Sequence, residues 1–262
     1  MKKLEKQYQN IYWDLDGTIW RHRGCEIEMI CDKLNIKCDE KMKMDFLYMI
    51  EEYNRHFKSR KVTKNEAYKI IEKTMPGLFF TGISGKEFLD CWNTISCNDL
   101  TLGAKNVLET LQKRGKQNIV LTDWWLERQV SQMKNFGILD YMEKVYSAEE
   151  NFLKPNQLTV KRVIKPGTEE SSIIVGDSIE SDITFANIAN IDCIWFNPDG
   201  KENETSLNVT YEITSLEQVV DIIKWYLQEN MWTWVKLCSH IFYKLQKILA
   251  KIEKRYYNRK VD

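Results

Sequence analysis

The spacing of hydrophobic residues changes near residue 100 of the chain. From 26 to 97, apolar positions recur at intervals of three or four, as at Phe46, Ile50 and Tyr53, which predicts helices and no strand. Ser/Thr-x-x-Glu capping boxes are predicted to begin two of these helices, at Thr63 and Ser84. This part of the chain is therefore predicted to be all-helical.

Beyond residue 100, short apolar runs alternate with amphipathic segments. We predict strands at 118–122, 144–147, 172–176 and 191–196, separated and flanked by helices at 103–113, 125–136, 156–165, 180–189 and 215–227. Strands that alternate with helices imply right-handed crossovers between parallel neighbours. The predicted fold class is therefore α/β, with a doubly wound parallel sheet.

The domain organisation follows from an earlier apolar run at 11–13, which is predicted to be the first strand of the same sheet. Residues 1–18 and 100–227 would then form the core domain, and 19–99 would be inserted into it as a separate helical lobe. A C-terminal helical extension is predicted to follow at 228–262.

The composition narrows the possible functions. The 262 residues are 43% hydrophobic, which suffices for a core, and 38 Lys and Arg balance 38 Asp and Glu at a pI of about 6.8. Because a chain-wide basic field is missing, we expect no nucleic-acid partner. The charged N-terminus lacks an apolar signal region and no run of 18 apolar residues occurs, so we expect a soluble, cytoplasmic protein.

Cysteine and histidine offer little chemistry in this chain. Its seven cysteines include no Cys-x-x-Cys pair, which favours reduced thiols over a zinc site or a disulfide framework. The sequence has three histidines, so a His-based triad or a multi-His metal site has few candidates. We therefore expect carboxylates to carry the chemistry.

Polar side chains stand where three of the predicted strands end: Asp14 and Asp16, Thr122 and Asp123, and Asp177. Ligands of open α/β sheets bind outside the carboxyl ends of the strands. Asp14 and Asp16 would repel each other in one pocket, and a divalent cation is the simplest compensation, with Asp177 to complete its oxygen ligands.

Four sequence motifs in this order resemble those of the haloacid dehalogenase-like superfamily of phosphohydrolases. They are Asp14-Leu15-Asp16-Gly17-Thr18, Thr122 closing a strand, Lys154-Pro155 opening a helix, and Gly176-Asp177 with Asp182. The resemblance covers roughly residues 10–227 and points to the phosphoglycolate phosphatase and nucleotidase-like branch. It implies a Rossmann-like core, with residues 19–99 as a helical cap that closes over a small substrate.

The resemblance also implies a role for each motif residue. Asp14 would be the nucleophile that forms an aspartyl-phosphate, and Asp16 the general acid and base. Asp14, the backbone carbonyl of Asp16, and Asp177 would bind Mg²⁺, with Asp182 supporting them. The side chains of Thr122 and Lys154 would hold the phosphoryl oxygens. Backbone amides near Leu15, Asp16 and Asp123 would assist them. The implied activity is Mg²⁺-dependent hydrolysis of a small phosphorylated metabolite.

Two other functions stay open at this point. One is a phosphomutase of the same superfamily, and the other is a non-catalytic member that binds a phosphorylated ligand or a partner. Asp16 favours phosphoryl chemistry over carbon–halogen cleavage, because the resembling dehalogenase branch lacks an acid/base at that position. A protein that only binds a phosphorylated ligand would not need an acid/base such as Asp16, so its presence also favours catalysis.

Several residues near the motifs have more than one interpretation. Asp123 stands where phosphatase relatives commonly have Asn; its carboxylate would weaken phosphate binding, bind a basic part of the substrate, or point away. Trp124 and Trp125 would stack on a base or sugar, or pack in the interior. His22 would touch the substrate or face solvent.

The C-terminal segment lies beyond the resemblance. Residues 228–262 contain eight basic and three acidic residues, and seven apolar positions from Met231 to Ile252 repeat at intervals of three and four. This pattern predicts a basic amphipathic helix. It would pack on the core, pair with a second copy, or lie on an anionic membrane surface or a partner.

Overall fold

The computed structural model describes residues 6–223 apart from Ser59, Cys97 and Asn151. The predicted tail at 228–262, and the last four residues of the helix predicted at 215–227, lie outside the described residues. None of the helices in the described part has the length and hydropathy that a membrane span requires.

Strands and helices follow one another in the order that the sequence predicts, with three additional short strands. They are β1 (Asn10–Trp13), β2 (Trp20–His22), α1 (Glu26–Leu34), α2 (Glu40–Phe57), α3 (Lys64–Thr74), α4 (Gly85–Asn93), β3 (Asn98–Leu100), α5 (Ala104–Lys113), β4 (Gln117–Leu121), α6 (Leu126–Asn135), β5 (Lys144–Tyr146), α7 (Gln157–Val163), β6 (Ser172–Gly176), α8 (Thr184–Ala189), β7 (Asp192–Phe196), β8 (Tyr211–Ile213) and α9 (Gln218–Ile222).

Six of the strands form one parallel sheet in the order β5-β4-β1-β6-β7-β8. Alternate side chains of β1 enter different hydrophobic clusters, because successive residues of a strand point to opposite faces. Ile11 and Trp13 pack with residues of α5 and α9, whereas Tyr12 packs with residues of α7 and α8. Helices therefore cover both faces, and the predicted doubly wound sheet is confirmed.

The helices α1 to α4 enclose a hydrophobic cluster of their own, which also takes in a few residues of the core. Its aromatic centre includes Phe46, whose ring centroid lies 5.0 Å from that of Trp92. The capping box at Ser84 is complete, with Glu87 bonded back to the Ser84 backbone. At Thr63 the side chain accepts the Glu66 N–H, which is the N-cap half of the predicted box.

Three features of the fold are absent from the sequence prediction. Strands β2 and β3 pair antiparallel as a ribbon at the two ends of the inserted segment, which is therefore not helical throughout. The ribbon carries polar side chains such as Arg21 and Asp99, so no apolar alternation marks it. Strand β8 is three residues long, and one turn of π-helix at Ile179–Ile183 replaces the start of the helix predicted at 180–189.

Candidate active site

The strand order brings the predicted site residues together. The chain runs from β1 to β4 on one side and later to β6 on the other, so β1 lies where the direction of winding reverses. Ligand sites of open α/β sheets form at such a switch point. The residues that follow these three strands meet there: Asp14 and Asp16, Thr122, and Asp177.

Lys154 links two of the carboxylates. Its Nζ donates to Asp14 Oδ1 and to Asp182 Oδ1, each at 2.6 Å, and its side chain is 1% exposed. Burial opposes the charge of Lys154, but the surrounding carboxylates raise its pKa well above the usual range. Burial also raises the pKa of Asp14 despite Lys154, and the charges of Asp182 and Asp177 add to the rise. Lys154 thus neutralises the acidic cluster only in part.

Three carboxylates of this cluster suit a divalent cation. One oxygen each of Asp14, Asp177 and Asp182 lies within 4.8 Å of the others. Burial and the charge of Asp182 raise the pKa of Asp177 as well. Hard oxygen ligands fit Mg²⁺, and a dication would relieve the repulsion that raises these pKa values. The residues present therefore fit the metal that the motifs imply.

Two glycines make room for the cluster. Gly17 has a φ of +98°, and a Cβ there would lie 2.5 Å from Asp177 Oδ2. A Cβ on Gly176 would lie 2.2 Å from the carboxyl carbon of Asp182. Both carboxylates therefore depend on a neighbouring backbone that carries no side chain.

Asp16 has different surroundings from Asp14. Its Oδ1 accepts from Trp20 Nε1 at 2.8 Å and lies 3.2 Å from His22 Nε2, while its Oδ2 accepts from Gln129 Nε2 at 2.6 Å. Burial works to raise the pKa of Asp16, but His22, the Trp20 hydrogen bond and the charge of Arg128 outweigh it and lower the pKa below the usual value. The two aspartates of the first motif are thus held in separate networks beside one cavity.

Thr122 shares a donor with Asp16. Gln129 Nε2 donates to Thr122 Oγ1 at 2.9 Å as well as to Asp16, and both Thr122 and Gln129 are buried. The Trp124 backbone N–H also donates to this hydroxyl, at 3.3 Å. Thr122 is therefore fixed at the carboxyl edge of the sheet. The side chain of Leu15 is fully buried, so only its backbone can face the cavity.

The carboxylate of Asp123 is turned towards the loop that holds Lys154. Its Oδ1 accepts the Lys154 backbone N–H at 2.8 Å, and its Oδ2 lies 3.4 Å from the Ser181 hydroxyl. Burial raises the pKa of Asp123 to about 6, although the charge and the N–H of Lys154 counteract part of the rise. Asp123 thus positions the lysine loop, and its side chain also lines the cavity.

A cavity of about 420 Å³ opens above these residues. The motif residues form its floor, and further lining comes from the helical segment, from Trp124 in the loop after β4 and from Arg128 of α6; the residues of the helical segment are Glu26, Ile50, Asn54 and Trp92. Trp125 is fully buried in the interior instead, and His22 faces the cavity beside Asp16. The volume is that of a pocket for a small molecule.

Sequence reasoning missed three residues that support the site. Gln129 orients Asp16 and Thr122, and the buried Arg128 donates to the Trp92 carbonyl and to Glu26. Gln129 and Arg128 lie in the first turn of α6, which directly follows β4. The general rule that ligands bind beyond strand ends could have drawn attention to that turn. Glu26 and its partner are 102 positions apart in the sequence, so their contact leaves no local signal.

Comparison with known proteins adds independent findings. A family model described as haloacid dehalogenase-like hydrolase matches residues 11–196. YfnB of Bacillus subtilis (strain 168), described as a HAD-hydrolase, is 25% identical over 232 residues, which are 83% of this chain and 96% of YfnB. The pyrimidine 5'-nucleotidase PynA of Streptococcus pneumoniae is 30% identical over 125 residues, or 46% of this chain and 53% of PynA.

The fold is also similar to solved structures. The crystal structure of YfnB bound to magnesium matches with a TM-score of 0.66 and 23% identity, and the match covers 84% of this chain and all of YfnB. This likeness concerns the architecture of the sheet and its helices.

Proposed function

The chain belongs to the haloacid dehalogenase-like hydrolases and is a phosphatase of that family, and we propose that it hydrolyses small phosphate monoesters with Mg²⁺ through an aspartyl-phosphate. The observation that carries the proposal is the contrast between Asp14, bound to Lys154 in an acidic cluster, and Asp16, bound by neutral donors and His22. Two carboxyl groups in unlike environments at one cavity can take two different catalytic roles.

In the first step Asp14 attacks phosphorus. A bond forms between an Asp14 carboxylate oxygen and phosphorus, the ester P–O bond breaks, and the leaving alkoxide takes a proton from Asp16. Asp16 is held as an anion in the free protein. The negative phosphate beside it favours its protonated form in the complex. Lys154 and Thr122 hold the phosphoryl oxygens while the charge is redistributed.

In the second step water attacks the aspartyl-phosphate. Asp16 accepts a proton from that water, the bond between Asp14 and phosphorus breaks, and orthophosphate leaves. Asp14, the backbone carbonyl of Asp16, and Asp177 would hold Mg²⁺, with Asp182 supporting them, and the ion would supply positive charge to the phosphoryl oxygens. Gln129 donates to both Asp16 and Thr122 and so holds the general acid/base at a fixed distance from the phosphate-binding hydroxyl.

The inserted residues 19–99 complete the proposal as a cap. They contribute Glu26, Ile50, Asn54 and Trp92 to the lining of the cavity that holds the motif residues, which restricts the cavity to small substrates. A nucleotidase among the relatives supports small phosphorylated substrates. We place the reaction in the cytoplasm, with no role for nucleic acid.

The test is phosphate release from a panel of phosphorylated metabolites, with and without Mg²⁺. Asp14→Asn should keep the melting temperature of the wild type within a few degrees and lose turnover on the order of 10³-fold or more, because the amide is a poor nucleophile. Asp90→Asn, which changes an exposed carboxylate on α4, is the matched control and should leave turnover unchanged. Wild-type turnover in Asp14→Asn, or wild-type turnover that is equal with and without Mg²⁺, would refute the proposal.

A further inference from the structure

The residues that line the cavity fall into two chemically different sets. The charged motif residues form one set, and Ile50, Trp92 and Trp124, together with the polar Glu26, Asn54 and Arg128, form the other. The phosphoryl group of a substrate belongs at the motif residues. The alcohol part of the substrate then meets the second set, which therefore decides which alcohol is accepted.

Trp124 lies next to the phosphate position. Its backbone N–H donates to Thr122 Oγ1 at 3.3 Å, and its carbonyl accepts from the Ala148 N–H at 3.0 Å. The backbone of Trp124 is therefore held by hydrogen bonds at both its N–H and its carbonyl, which fixes the point from which the side chain extends. A ring carried by the alcohol part of a substrate can therefore lie against the indole while its phosphate lies beside Thr122.

The surface that the indoles offer is carbon. The Nε1 atoms of Trp92 and Trp124 are both buried, and neither has a hydrogen-bond partner among the described residues. What lines the cavity is therefore the ring carbons of both residues. The two rings touch edge to face with centroids 4.5 Å apart, so each restrains the other.

Arg128 lies beside both indoles, and two of its guanidinium nitrogens are bound to other residues that line the cavity. Its Nη1 donates to the Trp92 carbonyl at 2.7 Å and its Nη2 to Glu26, and the side chain is 2% exposed. Its Cζ lies 5.6 Å from the Trp92 ring centroid and 6.0 Å from that of Trp124. A sugar hydroxyl placed against the ring carbons of Trp92 and Trp124 would lose water there without a hydrogen-bond partner from the rings in return.

From this arrangement we infer that the preferred substrates are nucleoside 5'-monophosphates, whose base stacks on Trp124 beside Trp92. The inference rests on the proposed phosphatase function. A flat heteroaromatic ring matches an aromatic carbon surface. Asn54, which lines the same cavity, would meet the polar edge of the base.

The experiment compares a nucleotide with the same phosphate ester lacking its base. The measured quantity is the ratio of kcat/KM for the better of uridine and adenosine 5'-monophosphate to kcat/KM for ribose 5-phosphate, with Mg²⁺. Stacking of one base predicts a ratio of about 10 to 100 in the wild type. The gain should fall mainly on KM, because the stack exists in both ground state and transition state.

Three variants separate stacking from structure. Trp124→Leu should bring the ratio to within about threefold of one, and Trp124→Phe should keep most of the wild-type ratio. Leucine and phenylalanine are both apolar, but only phenylalanine has a ring on which a base can stack. Trp125→Leu is the matched control, since Trp125 is fully buried and does not line the cavity; it should keep the wild-type ratio even where stability falls.

Each outcome decides the inference. A wild-type ratio near one, or an equal fall in Trp125→Leu and Trp124→Leu, would overturn it and leave the phosphatase proposal intact. If Trp124→Leu fails to fold, the wild-type ratio and Trp124→Phe decide. Absence of Mg²⁺-dependent phosphate release from ribose 5-phosphate, both nucleotides and every other phosphorylated metabolite tested would refute the proposed function itself.

Discussion

Replacing Lys154 with methionine removes the positive charge between two buried carboxylates while keeping most of the side-chain volume. Each Nζ–Oδ1 contact of 2.6 Å gives an attraction of about 6 kcal/mol at an effective dielectric constant of 20. Desolvation of the lysine offsets much of this sum. Removing one partner of a buried ion pair destabilises a protein by about 3–5 kcal/mol, and protonation of Asp14, whose pKa is already raised, limits the loss to that range.

The assay is thermal unfolding in metal-free buffer and in millimolar Mg²⁺. For a domain of this size a loss of about 3–5 kcal/mol lowers the Tm by roughly 6–20 °C. Mg²⁺ should then raise the Tm of Lys154→Met by more than it raises that of the wild type, because the lysine no longer competes for the oxygens of Asp14 and Asp182.

Lys113→Met is the matched control for this prediction. Lys113 contacts Glu109 at the same distance of 2.6 Å, but its side chain is 70% exposed. Exposed pairs of this kind contribute little, so its Tm should stay at the wild-type value. An equal effect in both variants would refute the role of burial, and a smaller Mg²⁺ response in Lys154→Met than in the wild type would refute the competition between lysine and metal.

Two further predictions concern the same edge of the sheet. The pKa of Asp123 is raised to about 6 in the folded protein, so the folded state keeps a proton there that the unfolded state has already lost. As the pH rises from about 4 to 6, the wild type should therefore lose on the order of 2 kcal/mol of stability relative to Asp123→Asn, with no further change above about 7. Parallel curves of Tm against pH for the two proteins over that window would contradict the raised pKa. In urea unfolding, Gly176→Ala should lower the stability by about 1–3 kcal/mol, because its Cβ would overlap the carboxyl group of Asp182. Gly77→Ala should be nearly neutral, because the nearest atom to its Cβ, Met42 Cε, is 3.4 Å away. Equal urea midpoints for the two variants would show that Asp182 can move aside.

The sequence predicts the parallel sheet and the floor of the cavity because both are local in origin. Apolar runs mark the six-stranded sheet except for β8, and Asp14, Thr122 and Asp177 stand directly after strands. A strand end is a position in the chain as well as a position in space, so the sequence alone places these residues at one edge of the sheet.

The rest of the site depends on contacts between distant segments. Gln129 bonds Asp16 across 113 positions, and Arg128 bonds Glu26 across 102. The strand end before α6 draws attention to the turn that holds Gln129 and Arg128, but nothing in the sequence pairs either residue with its distant partner. The ribbon β2–β3 is not predicted from the sequence either, because three-residue strands with polar side chains show no recognisable alternation of apolar and polar residues.

The ribbon has a consequence for how the catalytic core can change over evolution. Because β2 and β3 pair with each other, the chain leaves the core and re-enters it at neighbouring points, with Trp20 opposite Leu100. Segments whose ends are this close can be lengthened, shortened or exchanged with little effect on the host domain. The strand end that carries Asp14 and the helix that begins at Ala104 would keep their places. New substrate preferences can therefore arise by replacing the insertion while the phosphoryl chemistry is inherited unchanged.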